Sequence, residues 1–436
     1  MSLLVVSPEF ASHYNPLGVL AKAAQQHGER VVVATGPKLR ERVENSGFEW
    51  RLLPLGASSN SGIAAVDPGT TRFIAATMNG PIATLRQQAL DREADLLWEP
   101  KRVAADVATL CDQIEPERVL VDHVSFGSTL AMHATGRPFT TLVPGHPSQL
   151  PVGSERYGIP QAWPSPVTPC SRDLAELELL SERVTRRFTA SWNSALASVA
   201  PDRPMVDDAF RVHGERVLYN SVRETHDPSR ESELPTDHRF VGPLVRQEEL
   251  PVEFMAWSRG VDDRPQVYVS LGTFLSHRSD VVARIADALR QLGVRAAIAL
   301  GATPRYMLGP IPAEWLVAPQ LPQVAMLASA DLSVHHGGNN SVQESFAAGV
   351  RQVVLPFSTD QFSNAADLER VESAHVLSPN EATVAELADS IDDALNSSIP
   401  RARPRLDPAE LVDALLAPPI CQTPLGRPLE RSRCHR

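Results

Sequence analysis

At 436 residues the chain is longer than one ordinary core organises and about right for two domains. Hydrophobic residues at 43% and charged residues at 21% give it enough apolar surface to fold as a globule. The formal net charge of -11 argues against a general nucleic-acid or anionic-membrane partner, while leaving room for a local basic pocket.

The first apolar run, Leu3 to Val6, reads as a short buried strand. It lacks a preceding basic segment and is too short for a signal peptide or a bilayer span. Asn15-Pro16 then starts a helix whose apolar face is Leu17, Leu20, Ala21 and Ala24. Gly28 supplies its stop, and Val31 to Ala34 begins the next strand. Such a βαβ unit implies a parallel sheet with its site at the C-terminal strand ends. Arg118 to Val121 reads as another strand, followed by a helix from about Ser128 to Gly136. Residues 144–170, rich in Pro, Gly and Ser, form a long loop suited to ligand contacts. Pro228, Pro235, Pro243 and Pro251, set among many charges, mark residues 223–258 as a linker.

After the linker the pattern restarts, with a strand from Gln266 to Leu271, a turn at Gly272-Thr273 and a helix from Asp280 to Leu292. Ala296 to Leu300, Leu332 to His335 and Gln352 to Leu355 are further strands. The fold class is therefore α/β: two doubly wound Rossmann-like domains, residues 1–222 and 259–417, facing across a cleft. The Pro- and Arg-rich tail at 418–436 lacks periodicity and reads as disordered. Cys111, Cys170, Cys421 and Cys434 are scattered without ligand spacing, as expected of reduced thiols in a cytoplasmic protein rather than a zinc site.

The densest chemical signal is His335-His336-Gly337-Gly338-Asn339-Asn340-Ser341-Val342-Gln343-Glu344. A strand runs into a Gly-rich turn and a helix expected to begin at Ser341. The free N–H groups and dipole of a helix start attract phosphate, and glycines let the backbone approach it. His336, Asn340 and Ser341 add side-chain donors. The bland alternative is a capping box between Ser341 and Glu344, which needs no ligand.

This segment resembles the donor signature of family-one glycosyltransferases, the group of plant natural-product and bacterial antibiotic enzymes. The resemblance implies the GT-B arrangement, with acceptor bound by residues 1–222 and nucleotide-sugar donor by residues 259–417. It implies that His336 contacts a diphosphate, with Gly337, Gly338, Asn340 and Ser341 completing the cradle, and that Glu344 takes ribose hydroxyls. Asp360-Gln361 stand where the family places its sugar-recognising pair, although such a pair is otherwise a solvated loop. Leu321-Pro322-Gln323 matches the base-binding segment, with Pro322 and Gln323 as its site residues. Ser270, Gly272 and Thr273 resemble a junction that approaches phosphate, or else make ordinary turn hydrogen bonds. Plant members carry tryptophans where this chain has Asn339 and the Gln320-Leu321 pair. These departures leave TDP and UDP both open and lean towards bacterial enzymes and deoxysugars.

Inverting transfer to a hydroxyl needs a base to remove its proton, and a neutral histidine oriented by a carboxylate is suited to it. Ser12-His13-Tyr14-Asn15-Pro16 resembles the family's Gly-His-x-Asn-Pro element, with Ser12 replacing the glycine. His13 is then the base and Asp122, ending a strand, its partner. Singly, these would read as a turn histidine and a helix cap. His123 and His146 are rivals, the latter also a candidate acceptor contact. The leaving diphosphate can be stabilised by helix-start amides, so neither cofactor nor metal is expected. The expected partners are a nucleotide-sugar and a hydrophobic aglycone, with no nucleic acid and no membrane span; the oligomeric state is open, a homodimer included. Two alternatives share the fold: a sugar-nucleotide 2-epimerase, and a non-catalytic nucleotide-binding partner of a transferase.

Overall fold

The computed structural model describes residues 2–56, 68–259, 262–397, 404 and 407–417. The front half runs β1 (Ser2–Val6), α1 (Ala11–Gln26), β2 (Arg30–Thr35), α2 (Arg40–Asn45), β3 (Glu49–Leu52), α3 (Pro68–Met78), α4 (Pro81–Leu96), α5 (Pro100–Ile114), β4 (Arg118–Asp122), α6 (Phe126–Thr135), β5 (Thr140–Val143), α7 (Ser171–Val199), β6 (Arg216–Tyr219) and β7 (His238–Phe240). The rear half runs α8 (Met255–Ser258), β8 (Gln266–Ser270), α9 (Gly272–Leu275), α10 (Ser279–Leu292), β9 (Arg295–Ala299), β10 (Leu316–Ala318), α11 (Gln323–Leu327), β11 (Leu332–His335), α12 (Asn339–Ala348), β12 (Arg351–Val354), α13 (Asp360–Arg370), β13 (Ala374–Val376) and α14 (Val384–Asn396). A last helix, α15 (Pro408–Leu416), follows.

The strand order is β3-β2-β1-β4-β5-β6-β7 in front and β10-β9-β8-β11-β12-β13 behind. The paired strands β1 and β4, and likewise β8 and β11, run parallel. In each sheet the chain winds outward from the first strand, then returns to pair with its other side. The β1/β4 and β8/β11 seams are therefore the switch points at which doubly wound sheets open a crevice. Continuous apolar runs such as Leu3 to Val6 and Val31 to Ala34 are buried because helices cover both sheet faces. Among the described residues, no helix is long and apolar enough to cross a membrane.

Several boundaries differ from the sequence reading. Helix α1 begins at Ala11, not at Asn15-Pro16, so Pro16 is interior and His13 lies in the first turn. The expected linker, 223–258, contains β7, which pairs with β6 through Val217–His238, Leu218–Arg239 and Tyr219–Phe240. Its prolines flank a three-residue edge strand, the place in a sheet where interrupted sequence is tolerated. Finally, α15 was expected in the rear domain, yet Leu411, Ala414 and Leu415 join Leu17, Leu20 and Ala21 of α1 in one core cluster. Arg216 donates to Ala414 O and Ala417 O, both at 2.9 Å, and Arg118 to Leu416 O at 2.9 Å. These cations satisfy carbonyls at the helix end and hold the returning chain on the front half. The expected disordered tail at 418–436, with Cys421 and Cys434, lies outside the described residues.

Candidate active site

At the front switch point, β4 ends on Asp122, which is fully buried. His13 reaches it from α1, with Nδ1 2.9 Å from Asp122 Oδ2. Asp122 Oδ1 accepts the Val124 backbone N–H at 3.0 Å. An ionised carboxylate only accepts, so Nδ1 of His13 carries the proton and Nε2 keeps its lone pair. The His13 side chain is 24% exposed and Asp122 is not, so the pair meets solvent through the imidazole alone. Burial opposes the charged imidazole most strongly, but the Asp122 charge, its hydrogen bond and the Asp360 charge carry the His13 pKa above its ordinary value. Asp122 is pressed well below the usual carboxylate range: burial would raise it, and the neighbouring histidines more than offset that. The phenyl ring of Phe10 lies 6.0 Å from the His13 ring and forms an apolar edge beside it. His123, the rival base, is buried with Nδ1 3.6 Å from Asp122 Oδ1, beyond a proper hydrogen bond.

At the rear switch point, β8 ends on Ser270, whose Oγ accepts the Gly272 N–H at 3.4 Å. Gly272 has φ +71° and Gly337 φ +82°, conformations in which glycine carries no steric penalty. The next residue, Gly338, caps α12 and supplies no side-chain cap, which leaves the helix-start amides free of one. The His336 imidazole lies over this turn: a Cβ at Gly338 would fall 2.4 Å from its Nε2, and one at Gly272 2.7 Å from its Cε1. Burial, with His335 beside it, pushes the His336 pKa down to about 3. His335 plays a different part. Its Nδ1 accepts the Gly337 N–H at 3.0 Å and its Nε2 lies 2.9 Å from Gln352 Oε1, so it fixes the turn. Thr273 stands in the short helix α9 beside this junction.

Helix α12 begins at Asn339, so Ser341 is not its cap and the capping-box alternative falls. Instead Gln323 Nε2, one residue after the α11 cap Pro322, donates to Ser341 Oγ at 3.3 Å and Glu344 Oε2 at 2.6 Å. Arg246 Nη1 reaches Glu344 Oε1 at 3.0 Å. Burial raises the Glu344 pKa, with Arg246 and Gln323 opposing it. The structure thus gathers Gln323, Ser341 and Glu344 as the sequence motifs suggest. Arg246 was missed because it lies in an irregular Pro-rich segment; the one available signal was the need for a cation beside a buried Glu344.

Other candidates part company. Asp360 opens α13, accepts the His146 N–H at 3.4 Å through Oδ2, and places its charge near His13. Gln361 folds into its own loop, with Oε1 accepting from Phe357 N at 3.0 Å and Ser358 N at 3.2 Å, and Nε2 donating to Ser358 Oγ at 3.0 Å. The His146 ring does not face an acceptor: Nε2 lies 2.9 Å from Asp367 Oδ2 and Nδ1 2.8 Å from Ser148 Oγ, both buried. A buried imidazole in an irregular loop needs such partners, and the rear domain supplies one. Asn340 stands in the first turn of α12, but its side chain turns away and donates from Nδ2 to Ser12 O at 2.8 Å. Asn339 Nδ2 likewise donates to Pro144 O at 2.8 Å and Asn220 O at 2.7 Å. Tyr157, also unforeseen, stacks on Phe210 at 4.1 Å, and burial pushes its phenol pKa up to about 12.

Two facing doubly wound domains with these switch-point sites form the GT-B architecture of glycosyltransferases. The chain belongs to the UDP-glucoronosyl and UDP-glucosyl transferase family, whose model matches residues 172–401. Among curated relatives, the uncharacterized UDP-glucosyltransferase YdhE of Bacillus subtilis (strain 168) is 29% identical over 36% of this chain; the matched region spans only 40% of that protein. Zeaxanthin glucosyltransferase of Pseudescherichia vulneris is 26% identical over 84% of this chain and 83% of its own length. Among solved structures, glycosyltransferase VinC in complex with dTDP superposes with a TM-score of 0.61 at 19% identity, covering 96% of each chain.

Proposed function

We propose that this glycosyltransferase moves a sugar, of the deoxysugar kind, from a TDP- or UDP-sugar to a hydroxyl of a small hydrophobic acceptor, with inversion and without a metal. The observation that carries this reading is the His13–Asp122 pair at 2.9 Å with the uncapped start of α12 beside it, where Asn340 meets Ser12 O. The acceptor O–H gives its proton to His13 Nε2 as its oxygen bonds the anomeric carbon. The bond from that carbon to the diphosphate oxygen breaks, and the electron pair leaves with the nucleoside diphosphate. Asp122 stabilises the imidazolium formed. Charge developing on the diphosphate falls to the α12 amides and to an N–H of the neutral His336 imidazole.

The bound dTDP named for VinC supports the thymidine choice, and the name of the zeaxanthin enzyme supports an apolar acceptor. Phe10 beside His13 gives the acceptor side an aromatic edge. His13→Ala separates the readings. A transferase retains thymidine or uridine diphosphate binding in a thermal-shift assay and loses turnover. Normal turnover of an alcohol acceptor by His13→Ala rejects the base assignment, and epimerisation of a nucleotide-sugar without acceptor favours the isomerase.

A further inference from the structure

In an α-helix the N–H of residue 16 would close a bond to the carbonyl of residue 12, and Pro16 has no N–H to give. Ser12 O is thereby left without that helical donor. The donor it receives comes from across the cleft: Asn340 Nδ2, at 2.8 Å, from the second residue of α12. Ser12 immediately precedes His13, and Asn340 is two residues past the Gly338 cap. One hydrogen bond therefore ties the turn that carries the base to the turn on which the diphosphate would sit. The adjacent Asn339, bonded to Pro144 O after β5 and Asn220 O after β6, anchors the same helix tip to the front sheet at two more points.

We propose that the Asn340 side chain is a positioning group, which uses the carbonyl vacated by Pro16 to set His13 against the donor, and is not itself a ligand of the diphosphate. The inference rests on the transferase reading for its catalytic consequence, though not for its geometry. In-line displacement needs the attacking oxygen about 3–3.5 Å from the anomeric carbon, and a misplacement of about 1 Å can cost on the order of 100-fold. A side-chain amide bridging the two halves supplies that constraint directly. It also explains why an asparagine with a free-looking place on the phosphate helix turns away from the helix start.

The test compares Asn340→Ala, Pro16→Ala and the double variant in the full chain. Asn340→Ala is expected to leave the thymidine diphosphate Kd within about twofold while kcat falls about 10- to 100-fold. Pro16→Ala returns an N–H to Ser12 O and competes with Asn340, so it lowers kcat by a smaller factor. Combined with Asn340→Ala it should add nothing, because both remove one interaction. Amide hydrogen exchange over residues 11–16 is expected to quicken in Asn340→Ala. A tenfold rise in the diphosphate Kd with kcat unchanged, full additivity, or unchanged exchange would each overturn the proposal. A wild-type protein that transfers nothing while exchange still responds sinks the function and upholds the positioning contact.

Discussion

Asp122→Asn puts the proposed chemistry under the sharpest strain, because the structure dictates how the new amide must sit. The Val124 N–H needs an acceptor at Oδ1, so the asparagine oxygen is held there and its NH2 faces His13 Nδ1. That NH2 can only donate, which moves the imidazole proton to Nε2 and removes the lone pair the acceptor needs. Turning the amide over would set NH2 against the Val124 N–H, at a cost of about 1–3 kcal/mol for the unmet donor. The substitution also removes the carboxylate that stabilises the imidazolium, about 4 kcal/mol for charges roughly 4 Å apart at an effective dielectric of about 20. Together these reach about 5–7 kcal/mol, on the order of 10⁴-fold in kcat at about 1.4 kcal/mol per decade. The assay is steady-state transfer to a hydrophobic alcohol, with diphosphate binding measured in parallel and expected to be unchanged. A variant retaining more than a tenth of wild-type kcat would refute the assigned tautomer and with it the role of Asp122.

Further outcomes follow from the same coordinates. His13 must be neutral to act and its pKa is raised, so log kcat/KM should climb with pH through a value above 6.5 and then level off; a limb centred below 6 contradicts the pairing. The raised pKa of His13 stabilises the fold fully below 6.5 and loses that contribution as pH rises through the folded value, whereas the lowered pKa of Asp122 contributes above 3.8 and loses its contribution as pH falls towards its folded value. Urea midpoints of wild type and Asp122→Asn should therefore differ most between pH 3.8 and 6.5, and a pH-independent gap would be inconsistent with this. Gly338→Ala, at φ -61°, strains no backbone but displaces His336, so diphosphate Kd in calorimetry should weaken about 10- to 100-fold with little change in unfolding midpoint. Trp192→Ala opens a cavity where a fully buried ring donates to Phe126 O at 3.0 Å, and equilibrium unfolding should show a loss of about 3–5 kcal/mol; a loss below about 1 would be contrary.

Much of the fold was legible because parallel strands buried on both faces write continuous apolar runs, as at Leu3 to Val6 and Val31 to Ala34. The start of α1 was misplaced because Asn15-Pro16 carries a start signal, yet the helix begins at Ala11 with Pro16 inside it, and the Ser12 carbonyl that Pro16 cannot serve accepts from Asn340. The attachment of α15 to the front half was hidden for a related reason: the helix is readable locally, but its partners, Arg118 and Arg216, lie far away in sequence. In the site, the resemblance of short motifs to a known family singled out His13, Asp122 and His336. Where each amide or imidazole points was beyond reach, since Gln361 and His146 find partners only once the loop and the opposite domain are in place. Arg246 was invisible for the converse reason, an isolated cation whose meaning comes from Glu344.

The proposed transfer is a single displacement driven by one base, His13. Proton NMR of the first product formed from an α-linked thymidine diphosphate sugar reads the outcome at the anomeric centre. The mechanism predicts the β-glycoside, and an α-glycoside formed directly by the enzyme would contradict it.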